Sequence, residues 1–170
     1  MEKLTRVGVD YADRLAALWA ETFHQAYGSL HTEENIRAYC ATNFTPGSAE
    51  AALADPGVVC KVAFSGSTAL GYYLTRADEC PLLLDGRSAE LKQIYVLRSE
   101  YGSGLGTRLF DDSVQSIRDS GASWVWLMVS DLNYRAGRFY RKREFERLGV
   151  GPVIEIGTDR LPSTIMGRKI

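Results

Sequence analysis

The sequence predicts an α/β or α+β fold, in which a mixed sheet is covered by helices. The first third of the chain repeats apolar residues with the period of a helix. Residues 58–96 change to the strand period of two or to continuous apolar runs, and the remainder alternates between the two patterns. No internal repeat or linker interrupts the 170 residues, so we expect one domain over residues 1–170.

The first third of the chain predicts three helices, each with a capping residue or a terminator. They are residues 10–27, with Asp10 as N-cap and Gly28 as stop, a helix that is capped by Thr32 and ends before Thr45, and residues 48–55, capped by Ser48. A β-hairpin follows, because two apolar runs flank the turn residues Ser65-Gly66-Ser67.

The elements from the hairpin onwards alternate between strand and helix. We expect strands at 58–64, 69–75, 89–96 and 124–129, a helix from Leu105 to Ser120, a short helix at 135–142, and strands at 145–148 and 165–170. The unbroken apolar run at 124–129 is typical of a buried central strand.

Composition and spacing argue against several function classes. The chain carries 20 Lys and Arg against 21 Asp and Glu, whereas nucleic-acid-binding proteins have a basic surplus. Cys40, Cys60 and Cys80 have no C-x-x-C spacing, and His24 and His31 have no partners at ligand spacing, so neither disulfides nor a metal is expected. The N-terminus lacks a signal-peptide pattern and no run approaches 18 apolar residues, which predicts a cytoplasmic location and no membrane partner.

A glycine-rich loop at 102–106 lies between a predicted strand and a predicted helix. Backbone N–H groups at such a junction, together with the helix dipole, make an anion site. The spacing G-x-G-x-G is not the dinucleotide fingerprint, and no Lys follows the last glycine as in a P-loop. The loop therefore predicts an anion site of another type, with an ordinary flexible turn as the alternative.

Other predicted elements flank the glycine loop in a fixed order. A strand ending in Ile94-Tyr95-Val96 precedes it, and an amphipathic helix, the strand at 126–129, Asn133 and Phe139-Tyr140 come after it. In this order, residues 89–148 resemble the GCN5-related N-acetyltransferases, whose signature is Q/R-x-x-G-x-G/A. Gly104 and Gly106 match its glycines. Tyr101 stands at the Q/R position, which puts one phosphate contact in doubt. Glu144 stands where the family has a glycine.

The resemblance implies a mostly antiparallel sheet and acetyl-CoA as co-substrate, with a primary amine as acceptor and no metal. It also implies a set of residues that bind acetyl-CoA. The glycine loop contributes Tyr101, Gly102, Ser103, Gly104, Leu105, Gly106 and Thr107; the pantetheine contacts are Ile94, Tyr95, Val96 and Asn133; and Lys142 lies in a basic cluster that can meet phosphates. The backbone amides of Tyr95 and Val96 would polarise the thioester carbonyl.

Two residues are candidates for proton transfer. Tyr140 is at the family's general-acid position, from which a phenol can protonate the departing thiolate. Glu90 precedes Val96 by six residues, so on an unbroken strand both point to the same face, and Glu90 is the candidate base. The histone-modifying branch has a glutamate base at this distance. A bulge would disturb that parity, and a bound water is the alternative base.

A second resemblance concerns the acceptor substrate. Scattered aromatics, such as Phe23, Tyr27 and Tyr39, and the pair Gly71-Tyr72 are similar to those of the PaiA-type branch, which implies a polyamine-like acceptor. Alternative acceptors are a protein N-terminus or lysine, an amino acid and an antibiotic amine. A non-catalytic acyl-CoA sensor is the alternative from a different class. In such folds an exposed last strand often pairs with a second copy, which would allow a homodimer.

Overall fold

The structure, a computed structural model, describes residues 2–170. Within that range, α helices and strands alternate much as the sequence predicts. The helices are α1 (Ala12–Tyr27), α2 (Glu33–Asn43), α3 (Pro46–Ala54), α4 (Leu105–Asp119) and α5 (Tyr134–Arg141). The strands are β1 (Lys3–Arg6), β2 (Val58–Ser65), β3 (Thr68–Arg76), β4 (Ser88–Val96), β5 (Trp124–Ser130), β6 (Glu146–Val150), β7 (Ile154–Ile156), β8 (Asp159–Leu161) and β9 (Ser163–Lys169).

Seven strands form one sheet in the order β1-β2-β3-β4-β5-β9-β6, and β7 and β8 form a separate hairpin. Each neighbouring pair in the large sheet is antiparallel except β4 and β5, which run parallel and are connected through α4. Parallel strands need such a crossover, whereas antiparallel neighbours can be joined by short turns. The expected mixed, mostly antiparallel sheet flanked by helices is confirmed.

Helices cover both faces of the sheet. Helix α4 packs Leu105, Leu109 and Phe110 against one face, together with side chains of β4, β5 and α5. Helices α1 and α3 pack on the other face against β2 and β3, where Tyr72 and Val62 are fully buried. The C-terminal part of α1, α2 and the β7–β8 hairpin form a third apolar cluster at one end of that face.

Several predicted boundaries are wrong for local reasons. Asp10 lies in a 3₁₀ turn, and α1 begins after it at Ala12. Helix α3 starts at Pro46 and not after Ser48, because the Thr45 hydroxyl caps it and Ser48 completes a capping box from the third helical position. The sequence analysis missed β1, β7 and β8, which are three or four residues long.

The last strand is not an exposed edge. Strand β9 pairs with β5 on one side and with β6 on the other, so β1 and β6 are the edges of the large sheet. The expectation that the last strand is free to pair with a second copy is therefore wrong. Strand β6 takes the edge because the chain returns through the β7–β8 hairpin to insert β9 beside β5.

No helix in residues 2–170 is both long enough and apolar enough to cross a membrane.

Candidate active site

A cleft opens in the sheet where β4 and β5 separate. The two strands pair only from Ser88 to Glu90 on β4 and from Trp124 to Trp126 on β5. Beyond Glu90 and Trp126, β4 continues beside β3 while β5 continues beside β9. The backbone groups that face the gap are therefore free to pair with a ligand. Because β4 keeps its pairing with β3, this wall of the cleft is held in place.

A cavity of about 560 Å³, here called the cleft cavity, fills this opening. Its β4 wall consists of Ile94, Tyr95 and Val96, and its opposite wall includes Asn133 and Tyr140. The C-terminal part of α1 closes a third side. The structure thus places the predicted pantetheine residues and the predicted acid around one cavity.

A bulge in β4 changes which residues share a face. Leu74 pairs with Gln93 and its neighbour Thr75 pairs with Leu91, so Lys92 is an extra residue in β4. As a result, Leu91 and Val96 pack on the same side, against α4. The predicted parity is therefore wrong: Glu90 lies on the face opposite to Val96.

Glu90 occupies the closed end of the cleft, in the last paired row of β4 and β5. The residue is only 4% exposed, and its Oε1 lies 3.5 Å from Lys92 Nζ. Burial raises the pKa of Glu90 above its ordinary value, and the positive charge of Lys92 opposes this rise. The side chain lines neither of the two cavities described here, so it does not touch the open part of the cleft.

Tyr140 lies on α5 with its ring packed between Phe139 and Phe145. Burial is the main reason that the pKa of Tyr140 is raised, and the nearby phenol of Tyr27 adds to the rise. The phenol is therefore protonated at neutral pH. A protonated hydroxyl in the wall of the cleft cavity is suited to donate a proton to a bound ligand.

Asn133 connects α5 to α1. Its Oδ1 accepts a hydrogen bond from the Ala136 N–H as N-cap of α5, and its Nδ2 donates to the Tyr27 hydroxyl, 3.1 Å away. The sequence predicted Tyr27 only as the last residue of the helix at 10–27 and as one of the scattered aromatics, so this contact was not expected. The i, i+4 spacing of Phe23 and Tyr27 indicates that they share a face, but it carries no information about a partner 106 residues away.

The glycine loop builds a second cavity of about 610 Å³, here called the loop cavity, between itself and α5. Gly102 and Gly104 have φ angles of 85° and 87°, in the left-handed region that favours glycine. Of the other predicted loop residues, Tyr101, Gly106 and Thr107 line the cavity, as does Lys142 on the opposite side. Ser103 and Leu105 do not: the Ser103 hydroxyl accepts from the Leu105 N–H, and the Leu105 side chain is buried in the core.

The histidines and cysteines take structural positions. His24 is a surface residue that pairs with Glu33. The His31 side chain is buried, and its Nδ1 lies 2.7 Å from Asp159 Oδ2. The three cysteines are free thiols, and burial raises the pKa of the Cys60 thiol to about 12. Among residues 2–170 there is no group of three or more His, Cys, Asp or Glu that could hold a metal ion.

Comparison with known proteins explains this arrangement. The model of the Acetyltransferase (GNAT) family matches residues 13–145. The chain belongs to this family. It is 32% identical over 136 residues to an uncharacterized N-acetyltransferase of Mycobacterium bovis, which covers 79% of this chain and 83% of that protein.

Solved structures of the GNAT family share the fold over the whole chain. PaiA N-acetyltransferase from Thermoplasma acidophilum, in complex with coenzyme A, has a TM-score of 0.76 at 17% identity, covering 100% of this chain and 99% of that chain. A GCN5-related N-acetyltransferase from Rhodopseudomonas palustris has a TM-score of 0.77 at 20% identity, covering 100% and 96%. These likenesses show the fold. The family predicted from residues 89–148 is confirmed, and with it an acetyl-CoA-dependent acyltransferase.

Further residues of the cleft in this GNAT-family chain were not predicted, because they lie far in sequence from the residues that they contact. Gln25 on α1 lines the cleft cavity, and its side-chain oxygen accepts from the Arg98 N–H. Arg135 on α5 lines both cavities. No spacing or motif within one element marks these residues.

Proposed function

We propose that this GNAT-family chain transfers the acetyl group of acetyl-CoA directly to a primary amine of a small molecule, within a ternary complex, and that the acceptor is polyamine-like. The observation that carries the proposal is the cleft cavity between β4 and β5, with Tyr140 in its wall. Glu90 lies outside this cavity, in the last paired row of the two strands. We also propose that residues 1–170 work as one N-acetyltransferase domain, because one sheet takes β1 from the start and β9 from the end of the chain.

The reaction needs an amine without its proton. A lysine-like amine has a pKa of about 10.4, so reaching the neutral form at pH 7 costs about 4.6 kcal/mol. In our proposal Glu90 accepts that proton through a bound water, because its side chain does not line the cleft cavity. Burial of Glu90 supports this role, because its raised pKa makes the carboxylate a stronger base than an exposed glutamate.

Bond exchange then occurs at the thioester carbonyl carbon. The amine nitrogen forms a bond to that carbon, the backbone amides of Tyr95 and Val96 stabilise the developing oxyanion, and the carbon–sulfur bond breaks. Tyr140 gives its proton to the departing thiolate, and the nitrogen releases its second proton to solvent as the amide forms. Tyr140 then recovers a proton from solvent, and Glu90 releases the one that it took from the ammonium. The products are the N-acetylated amine and CoA.

Glu90 also supports a cationic acceptor. It is the only buried carboxylate among residues 2–170. The other acidic residues near the start of β4 are used by neighbours, since Glu79 accepts from Ser88 and Asp85 pairs with Lys169. Glu90 is itself 3.5 Å from Lys92 Nζ, so its support for a cationic acceptor is its burial beside the cleft and not an unpaired charge. The full-length fold likeness to PaiA is the second support.

Thiol release from acetyl-CoA tests the proposal across an amine panel. Spermidine, lysine, an aminoglycoside and a peptide with a free N-terminus are compared at equal concentration, with Tyr140→Phe as the matched control. We expect the highest turnover with spermidine. A clear preference for the peptide would exclude the polyamine-like acceptor. Tight CoA binding without turnover on any amine would favour the acyl-CoA sensor.

A further inference from the structure

The cleft cavity and the loop cavity meet at a stacked pair of side chains. Both cavities are lined by Tyr101 and Arg135, and by Val96, Gly106 and Phe139. The guanidinium carbon of Arg135 lies 3.4 Å from the centroid of the Tyr101 ring, which is the distance of a close cation–π stack. Tyr101 and Arg135 are here called the junction pair. A ligand that extends from one cavity into the other passes this pair.

The charge of Arg135 has no acidic partner. Within residues 2–170, no carboxylate lies within 4 Å of its guanidinium. The residue is in the first turn of α5, where the helix dipole disfavours a cation. A positive charge in this position gains nothing from its own helix. Its side chain is instead held by an aromatic ring and faces two cavities, which indicates a ligand of negative charge.

Backbone N–H groups without a hydrogen-bond acceptor lie in the glycine loop, beside the junction pair. Among the described residues, the backbone N–H groups of Gly102, Gly104 and Gly106 have no hydrogen-bond acceptor. All three glycines line the loop cavity. Orphan amides at a helix N-terminus are a site for phosphate groups, and here the guanidinium of Arg135, which has no acidic partner, lines the same cavity.

The loop cavity has a positive charge overall. Its lining contains four basic side chains, Arg135, Arg138, Lys142 and Arg143, against one acidic residue, Glu100. Arg143 repeats the arrangement of the junction pair, since it stacks 3.5 Å over the Phe139 ring and donates to the Thr107 hydroxyl. Two guanidinium groups that line the loop cavity are thus held on aromatic rings.

We propose that Arg135 binds the diphosphate of the acyl-CoA co-substrate at the junction of the two cavities, and that Tyr101 positions it. The proposal rests on the proposed function, because that co-substrate joins a pantetheine arm to a nucleotide through a diphosphate. A guanidinium binds two phosphate oxygens with parallel hydrogen bonds. The Tyr101 ring holds the side chain in place before the ligand arrives, which lowers the entropy lost on binding. Tyr101 thereby replaces the contact that its departure from the family motif removes.

Calorimetry with three ligands tests the role of Arg135. CoA, 3′-dephospho-CoA and pantetheine are titrated into the wild type and into Arg135→Gln. We expect Arg135→Gln to bind CoA and 3′-dephospho-CoA about tenfold more weakly or worse, and pantetheine as the wild type does. Arg141→Gln is the matched control, because Arg141 is on the same helix but lines neither cavity, and it should bind all three normally.

Three results would overturn the diphosphate assignment. They are unchanged CoA binding in Arg135→Gln, an equal loss for pantetheine, and a loss that disappears when the 3′-phosphate is absent. Failure of the wild type to bind CoA would instead overturn the proposed function together with this inference. Unchanged thermal unfolding of Arg135→Gln excludes a folding defect as the cause, since the side chain is exposed.

A double-mutant cycle tests the positioning role of Tyr101. Tyr101→Phe keeps the ring and should bind CoA as the wild type does. Tyr101→Leu removes the ring and should weaken CoA binding several-fold, but should cause no further loss in the Arg135→Gln background. If the double variant loses CoA affinity by the product of the factors measured for Tyr101→Leu and Arg135→Gln, Tyr101 acts independently of Arg135 and the positioning role is wrong.

Discussion

Replacement of Glu144 by glycine should stabilise the protein. Glu144 has a φ of 62° and is the only non-glycine residue of 2–170 with a positive φ. It follows α5, where its N–H donates to the Arg141 carbonyl and the Phe145 N–H donates to the Tyr140 carbonyl. These two bonds, with the contact between the Phe145 and Tyr140 rings, form a Schellman motif. Glycine is the residue that this position favours.

The size of the expected stabilisation follows from two opposing contributions to the free energy of unfolding. A residue with a Cβ pays about 1–2 kcal/mol to adopt the left-handed conformation. Glycine avoids that cost but loses about 0.5–1 kcal/mol more backbone entropy on folding. We therefore expect Glu144→Gly to raise the free energy of unfolding by about 0.5–1 kcal/mol. For a chain of 170 residues this corresponds to a rise in Tm of about 1–4 °C.

Urea and thermal unfolding of the wild type, Glu144→Gly and Glu144→Ala measure the effect on stability. Glu144→Ala loses the same exposed side chain but keeps the Cβ, so its stability should stay within about 0.5 kcal/mol of the wild type. If Glu144→Gly is no more stable than Glu144→Ala, the left-handed backbone is not the source of the cost, and the reasoning fails. Turnover should be unchanged in both variants, since the motif that holds Tyr140 is intact.

Three further predictions concern the cleft. Glu90→Gln should lower kcat about 10²-fold or more. Its stability relative to the wild type should rise between about pH 4 and pH 7, because burial raises the pKa of Glu90 and the wild type therefore loses stability as pH rises through that pKa. Urea unfolding at the two pH values measures this difference. An equal stability difference at both pH values would contradict the burial of the charge. Tyr140→Phe should lower kcat about 10²-fold with the Kd for CoA unchanged, and a variant with full turnover would remove Tyr140 as the acid. Asn133→Ala should cost about 1 kcal/mol by loss of the N-cap, whereas Asn133→Ser keeps a capping hydroxyl and should be close to the wild type in thermal unfolding; equal losses would show that the bond to Tyr27 outweighs the cap.

Local signals explain which elements could be predicted from the sequence. The strands at 58–96 and at 124–129 have long apolar runs, and the glycine loop has a distinctive composition, so all were predicted close to their observed places. The bulge at Lys92 left no such signal, because it depends on how β3 pairs with β4. It determines which face carries Glu90, so the one side-chain direction that the proposed chemistry needs was predicted wrongly.

Long-range contacts explain what the sequence could not predict in the site. Tyr140 and Asn133 were found because they occupy family positions, whereas Tyr27 and Arg135 gain a role only through partners on other elements. A departure from a motif can mark such a partner. Tyr101 marks the loss of one family contact, and the structure places Arg135 on its ring.

The net charge of −1 hides a local excess of positive charge. A balance of 20 against 21 charges argues against a surface that binds extended polyanions, yet four basic side chains converge on one cavity beside the glycine loop. Two of them, Arg135 and Arg143, are held by aromatic rings, and the loop adds unpaired amides that need no side-chain charge at all. A single bound diphosphate can use this local field fully, whereas a long polyanion would also meet the acidic residues that balance it elsewhere. Selectivity for a small phosphorylated ligand therefore follows from how the charges are arranged in the fold.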